Sequence, residues 1–93
     1  RSFIIYKQMF HVYILRLSNS KHYIGRTNNI ESRLIRHQTG QVRSTKAFRP
    51  VELIYQEVFE SRSEGVKREL YLKSLKSHEA VEKIIHSGDG PVV

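Results

Sequence analysis

The stretch HYIGRTNNIESRLIRH, residues His22 to His37, places Arg26, Arg33 and Arg36 between two histidines, with Glu31 as its only acid. Such a run can be a solvated helix face or a grip on phosphate, and spacing helps to separate the two. Ile30 and Leu34 stand one helical turn apart, and Arg33 and His37 complete an i, i+3, i+4, i+7 stripe with them. Arg33 therefore points inward, where an unpaired guanidinium costs several kcal/mol, while Arg36 and Glu31 lie off the stripe. Downstream, Glu69 comes three residues after Val66 and three before Leu72, inside an apolar arc of its own helix. An inward Arg33 and an inward Glu69 can form a plain structural ion pair. They can also form a site in which the arginine holds a phosphate oxygen and the carboxylate a divalent cation.

The elements that would position these groups follow from local pattern. HVYILRL is β-branched and aromatic, SNSK is turn chemistry and HYIGR reads as a returning strand, giving a hairpin over residues 11–26. With an odd turn, Tyr13 sits opposite Gly25 and diagonal to Tyr23 on the same face. A glycine within a strand marks a close approach of a ligand or another chain segment. Asn28, three residues before Glu31, has capping-box spacing for a helix that stops at Gly40. QVRSTKAFRP reads as a loop. VELIYQEVF reads as a third strand, with Val51, Leu53 and Tyr55 alternating against Glu52 and Gln56. Ser61 and Glu64 open a second helix over GVKRELYLKSLKS, and Ser77 caps a last one, HEAVEKIIH. The expected fold is α+β: a small three-stranded antiparallel sheet flanked by helices, in the order β-β-α-β-α-α. Residues 1–10 are expected to be an N-terminal extension, whether a fragment edge, an added segment or a true extra strand, with 11–86 expected as the domain and 87–93 as a flexible tail.

Composition narrows the partner. The 93 residues carry a formal charge of +7, and no cysteine is present, so disulfides and thiolate-bound zinc are excluded. A reducing, cytoplasmic setting follows, and no segment resembles a membrane span. Seven bases (Lys21, Arg26, Arg33, Arg36, Arg43, Lys46, Arg49) face one acid between residues 21 and 49, whereas seven glutamates lie between Glu52 and Glu82. That asymmetry is the footprint of a polyanion such as nucleic acid.

Together these residues resemble the GIY-YIG nuclease family, and most closely its small stand-alone bacterial members. The second half-motif is intact as Tyr23-Ile24-Gly25. The first reads His11-Val12-Tyr13, with histidine where the family has glycine. Arg33 and the KREL glutamate, Glu69, fall where the family places them. The resemblance implies a metal-dependent endonuclease acting on nucleic acid, DNA rather than RNA, with little base-sequence specificity. Glu69 would coordinate Mg²⁺ or Mn²⁺, Arg33 and Arg26 would stabilise charge on the scissile phosphate, and Tyr13 and Tyr23 would position water or take its proton. Gly25 would shape the site. Arg36, Arg43, Lys46 and Arg49 would contact the polynucleotide; His37 would bond phosphate or Tyr13, or else only cap the last carbonyls of its helix; and the phosphate contact of an asparagine that some members carry is either missing here or replaced by Lys73. Beside a metal, Arg26 and Arg33, a tyrosine phenolate is expected to be favoured. His11 in place of glycine either leaves the strand unaffected or crowds the Tyr13 pocket. The alternatives are a nucleic-acid-binding module on the same fold that does not cut, and a stability or protein-interaction domain in which Arg33 and Glu69 only pair.

Overall fold

The computed structural model describes residues 8–87. The expected extension and tail fall outside the described residues, apart from Gln8 to Phe10 and Ser87. In chain order the elements are β1 (Phe10–Arg16), β2 (His22–Thr27), α1 (Ile30–Gln38), α2 (Arg43–Lys46), β3 (Glu52–Phe59), α3 (Arg62–Ser74) and α4 (His78–Ser87). The expected order holds with one addition, the single turn α2 inside the segment expected to be a loop. Four polar residues are too short a run to show helical periodicity. The turn closes because the backbone N–H groups of Thr45 and Lys46 both donate to the Val42 carbonyl, at 3.1 and 3.0 Å.

The sheet is antiparallel in the order β2-β1-β3, so β1 is central. Val12, Tyr13, Ile14 and Leu15 are all buried there, which is why the strand reads as a continuous apolar run rather than an alternating one. Val12 and Ile14 pack on Leu72 of α3 and on Val81 and Ile84 of α4. Tyr13 and Leu15 turn the other way, toward Ile30 and Leu34 of α1. Each aliphatic side chain removed from water in these two half-cores contributes about 1.5–3 kcal/mol. Ser61 caps α3 by accepting from the Glu64 N–H at 3.0 Å, and Ser77 caps α4 through the Ala80 N–H at 3.2 Å, as the sequence indicates. No helix among the described residues is long and apolar enough to cross a membrane.

The third strand departs from expectation. Ile14 pairs with Tyr55 but Leu15 pairs with Leu53, so Ile54 is the extra residue of a β-bulge. Leu53 consequently packs on the α1 side, while Ile54 and Tyr55 pack on the α3 and α4 side, and the single alternating face expected for Val51, Leu53 and Tyr55 is broken. Beyond the bulge, Glu57 lies opposite Val12 and points at α3, where it is 3% exposed. Burying a carboxylate there requires full pairing. Arg68 supplies it by donating from Nε and Nη2 at 2.8 and 3.0 Å, and the Tyr55 hydroxyl donates at 2.6 Å. Burial and the Glu57 carboxylate push the Tyr55 hydroxyl up to about 12, so it remains a donor at neutral pH.

Removing one partner leaves the other charge buried. Arg68→Ala is therefore expected to destabilise the chain by about 3–5 kcal/mol, read from denaturant unfolding. A loss below about 1 kcal/mol would show that Glu57 is solvated or protonated in the folded state.

Candidate active site

Helix α1 starts one residue later than its sequence suggests. Asn29, not Asn28, is the extended capping residue, and its side-chain oxygen accepts the Ser32 N–H at 3.0 Å. The inward stripe is unaffected. Ile30, Arg33 and Leu34 are partly covered and His37 is completely buried, as the i, i+3, i+4, i+7 pattern requires.

The register sets Tyr13 opposite Gly25 and Leu15 opposite Tyr23, so both tyrosines share the α1 face. Their ring centroids lie 6.2 Å apart. A Cβ on Gly25 would stand 2.6 Å from the Tyr13 hydroxyl oxygen and 2.7 Å from Cζ, closer than van der Waals contact permits. The close approach signalled by a glycine in the strand is thus made by the chain itself: the Tyr13 ring lies across the edge strand at the one position without a side chain.

His37 lies behind Tyr13. Its Nε2 is 2.9 Å from the Tyr13 hydroxyl and its Nδ1 is 2.8 Å from Thr45 Oγ1. The Thr45 hydroxyl can donate to the Val42 carbonyl at 3.4 Å, which leaves its oxygen to accept from His37 Nδ1–H. This network assigns Nε2 as the acceptor for the Tyr13 O–H. Thr45 belongs to α2 and was not singled out in the sequence, because nothing local marks a threonine in a basic segment as the partner of a buried histidine. Of the three contacts the sequence leaves open for His37 (phosphate, the Tyr13 hydroxyl or the carbonyls ending its helix), the structure shows the one to Tyr13. At 0% exposure it lies beneath the surface, where its contacts are with Tyr13, Tyr23 and Thr45.

The charged groups converge at the β2 edge. Alternation along β2 puts Arg26 on the α3 face, where its Nε donates to Glu69 Oε1 at 3.0 Å, and Lys73 Nζ lies 2.9 Å from Glu69 Oε2. The alternative of a simple ion pair between Arg33 and Glu69 is not what forms: the carboxylate is shared by Arg26 and Lys73. Arg33 makes none of the salt bridges among the described residues. It lines an open polar cleft of about 310 Å³ with Arg26, Thr27, Asn28, Phe10 and Arg62. Arg62, in the first turn of α3, went unnoticed in the sequence because a base at a helix start looks like ordinary surface. Arg36, Arg43, Lys46 and Arg49 are exposed. Arg49 is also a local brace, donating to the Lys46 and Gln38 carbonyls at 2.9 and 3.3 Å. His11 bonds Gln56 through Nδ1 at 3.1 Å and keeps its place in the sheet opposite Thr27 and Val58, so the strand is unaffected by the histidine.

These surroundings shift the titrating groups. Burial raises the Tyr13 hydroxyl to about 12, helped by Tyr23 and Glu69 and opposed by the neighbouring Arg33 guanidinium. Without a metal, Tyr13 therefore rests protonated; the phenolate is an expectation for the site with a metal beside Arg26 and Arg33. Burial, with Arg33 and Arg36 close by, holds His37 below its ordinary 6.5, so it is neutral at physiological pH. Burial alone would raise the Glu69 carboxyl, but hydrogen bonds from Lys73 and Arg26 outweigh it and hold the group below its ordinary 4.5.

Two measurements check this geometry. Gly25→Ala is expected to cost about 1–3 kcal/mol of stability, since a buried tyrosine has nowhere to move; unchanged unfolding would mean that the ring does not rest on the strand. A group whose folded pKa is lowered gives stability that is present above its unfolded value and lost as pH falls through the folded one. The stability due to neutral His37 is accordingly complete above 6.5 and declines below it. Its ring protons, followed by NMR, should titrate with a midpoint under 6.5, whereas a midpoint above that would place the imidazole in water or against an acid.

Comparison with known proteins accords with this geometry. The GIY-YIG catalytic domain matches residues 9–83. A UPF0213 protein of Staphylococcus saprophyticus is 38% identical over 79 residues, covering 84% of this chain and 95% of that protein. A UPF0213 protein of Staphylococcus haemolyticus is 37% identical over 75 residues, covering 80% and 92%. Among solved structures, the solution NMR structure of the UPF0213 protein BH0048 from Bacillus halodurans is similar with a TM-score of 0.59 at 27% identity, covering 89% of this chain and 88% of that one. The protein EF2693 from E. faecalis gives 0.63 at 28% identity, with 94% of each chain covered. The family match spans all three strands, both tyrosines, Arg33 and Glu69, and the chain belongs to the GIY-YIG catalytic domain family.

Proposed function

We propose that the chain is a divalent-metal-dependent endonuclease that hydrolyses phosphodiester bonds, in DNA rather than RNA, in the cytoplasm. The observation that carries this reading is the convergence of Arg26, Arg33, Glu69 and the Tyr13 hydroxyl on one edge of the sheet, beside a polar cleft. Attack on a phosphodiester builds negative charge on the nonbridging oxygens, and cations fixed around the phosphate lower that barrier. Arg33 and Arg26, which both line the cleft, fill this role, and Arg62 belongs to the same lining.

The donor set suits Mg²⁺ or Mn²⁺. Such an ion takes one or two carboxylates and keeps several waters, and Glu69 offers an ionised carboxylate whose Oε2 partner, Lys73, is half exposed and free to swing away. When bound, the ion would polarise the phosphate and stabilise the leaving oxygen. Tyr13, protonated at rest, serves as a base by relay. Its oxygen takes a proton from the attacking water as its own proton passes to His37 Nε2, 2.9 Å away. Thr45 fixes the imidazole tautomer that can accept it. Tyr23 packs edge-on to His37 and holds the ring in place. Outside the cleft, Arg36, Arg43, Lys46 and Arg49 would follow the polynucleotide backbone, a contact that gives affinity without base specificity.

One observation favours the second reading, a nucleic-acid-binding module that does not cut: both Glu69 oxygens already have cationic partners. A single assay separates the two. With Mg²⁺ and supercoiled or branched DNA, the chain is expected to cleave, Arg33→Ala and Glu69→Ala to lose about 10²–10³-fold or more, and Tyr13→Phe about 10²–10⁴-fold. Salt-sensitive binding without metal-dependent cleavage would establish the binding module instead.

A further inference from the structure

Away from Glu69 and the Arg26–Arg33 cleft, His22 at the start of β2 faces His78 and Glu82 on α4. His22 Nε2 lies 2.6 Å from Glu82 Oε2, His78 Nε2 lies 3.9 Å from the same oxygen, and the three donors all fall within 4.8 Å of one another. The two imidazoles stack with centroids 4.2 Å apart and planes 7° from parallel, which turns both Nε2 atoms toward the carboxylate. His78 and Glu82 have i,i+4 spacing, so one turn of α4 presents both on the same face. The His22 side chain is 6% exposed, whereas His78 is well exposed and can move. We propose that His22, His78 and Glu82 form a second metal site that takes Zn²⁺ or a similar imidazole-binding ion and ties α4 to the sheet.

The ligand chemistry selects the ion. Two imidazole nitrogens and one carboxylate suit zinc, cobalt or nickel and not magnesium, which prefers an all-oxygen shell. Tetrahedral coordination at zinc distances separates donors by roughly 3.3 Å. The present separations of 2.6 and 3.9 Å bracket that value, so the set is completed by a small withdrawal of the Glu82 carboxylate from His22 and a small rotation of exposed His78 toward it. The second carboxylate oxygen is oriented from outside by His86 Nε2 at 3.0 Å. Arg16 reaches Glu82 only at 4.0 Å and has its own partner in Glu52 at 3.3 Å, so it can give way to the ion. A cleft of about 420 Å³ with His22 and His78 in its wall offers the ion access. Lys21, Lys73 and Lys76 line the same cleft and work against an ion held by charge alone. That again favours one bound through nitrogen. Three protein ligands leave one position for water, and none of the three lines the Arg26–Arg33 cleft or pairs with Glu69.

Titration of the full-length, untagged chain with Zn²⁺ against a chromophoric chelator tests the proposal. One tight Zn²⁺ per chain is expected, weakened by about tenfold or more in His78→Ala and in Glu82→Gln, and unchanged in Glu69→Gln. His78→Ala alters only an exposed side chain and should fold, so its result does not depend on stability. Co²⁺ should give ligand-field absorption in the parent chain that His78→Ala abolishes. No Zn²⁺ binding, or binding insensitive to His78→Ala and Glu82→Gln, would overturn the site and leave a hydrogen-bonded histidine–glutamate cluster only.

Discussion

The contact on which the site depends is the 2.9 Å hydrogen bond from the Tyr13 hydroxyl to His37 Nε2, made across the gap that Gly25 leaves in β2. It joins the central strand to α1 through the interior, and everything around it is arranged to suit it. Gly25 makes room for the ring, Thr45 on the short helix α2 fixes the imidazole tautomer, and Tyr23 closes the other side. Both partners of this bond are fully buried, so a mismatch in donor and acceptor would leave polar atoms unpaired in the core. Among the described residues no buried side-chain nitrogen or oxygen lacks a partner.

The two inward glutamates of the α3 face show how similar residues diverge in use. Glu57 is nearly sealed, is held by both Nε and Nη2 of Arg68, and receives a tyrosine hydroxyl as well, so its charge is fully engaged in holding β3 to α3. Glu69 lies at the edge, where its partners Arg26 and Lys73 each contribute one contact and Lys73 is half exposed. A carboxylate paired with groups that can withdraw is available for exchange; one clamped in the core is not. This difference in mobility of the partners, more than the presence of a charge, separates a site from a strut.

Most of the strand and helix order was legible because each element carries its own punctuation: the hairpin turn, Ser61 and Ser77 as caps, and the inward stripe of α1. The family motifs were legible for a similar reason, since Tyr13, Gly25 and Tyr23 are tied by register within one hairpin. What local pattern could not carry was anything set by two distant segments. The bulge at Ile54 exists only in the pairing of β3 with β1, and it decides which face Tyr55 takes. The Thr45 to His37 contact depends on the path of the chain after α1. Arg26 rather than Arg33 as the partner of Glu69 follows from strand alternation placing Arg26 on the α3 face, a point that helix periodicity alone does not address. The burial that keeps Tyr13 protonated in the metal-free chain is likewise a property of the packed strands and α1, which the sequence does not display.

The proposed account stands on Glu69 exchanging its lysine for a metal ion. The most direct measurement is the anomalous scattering of crystals grown with Mn²⁺ and a phosphodiester analogue. The account predicts an ion within about 2.5 Å of a Glu69 carboxylate oxygen, with Lys73 displaced and Arg33 on the phosphate. Density in which Glu69 keeps both Arg26 and Lys73 while the analogue is bound, with no ion beside it, would contradict the account.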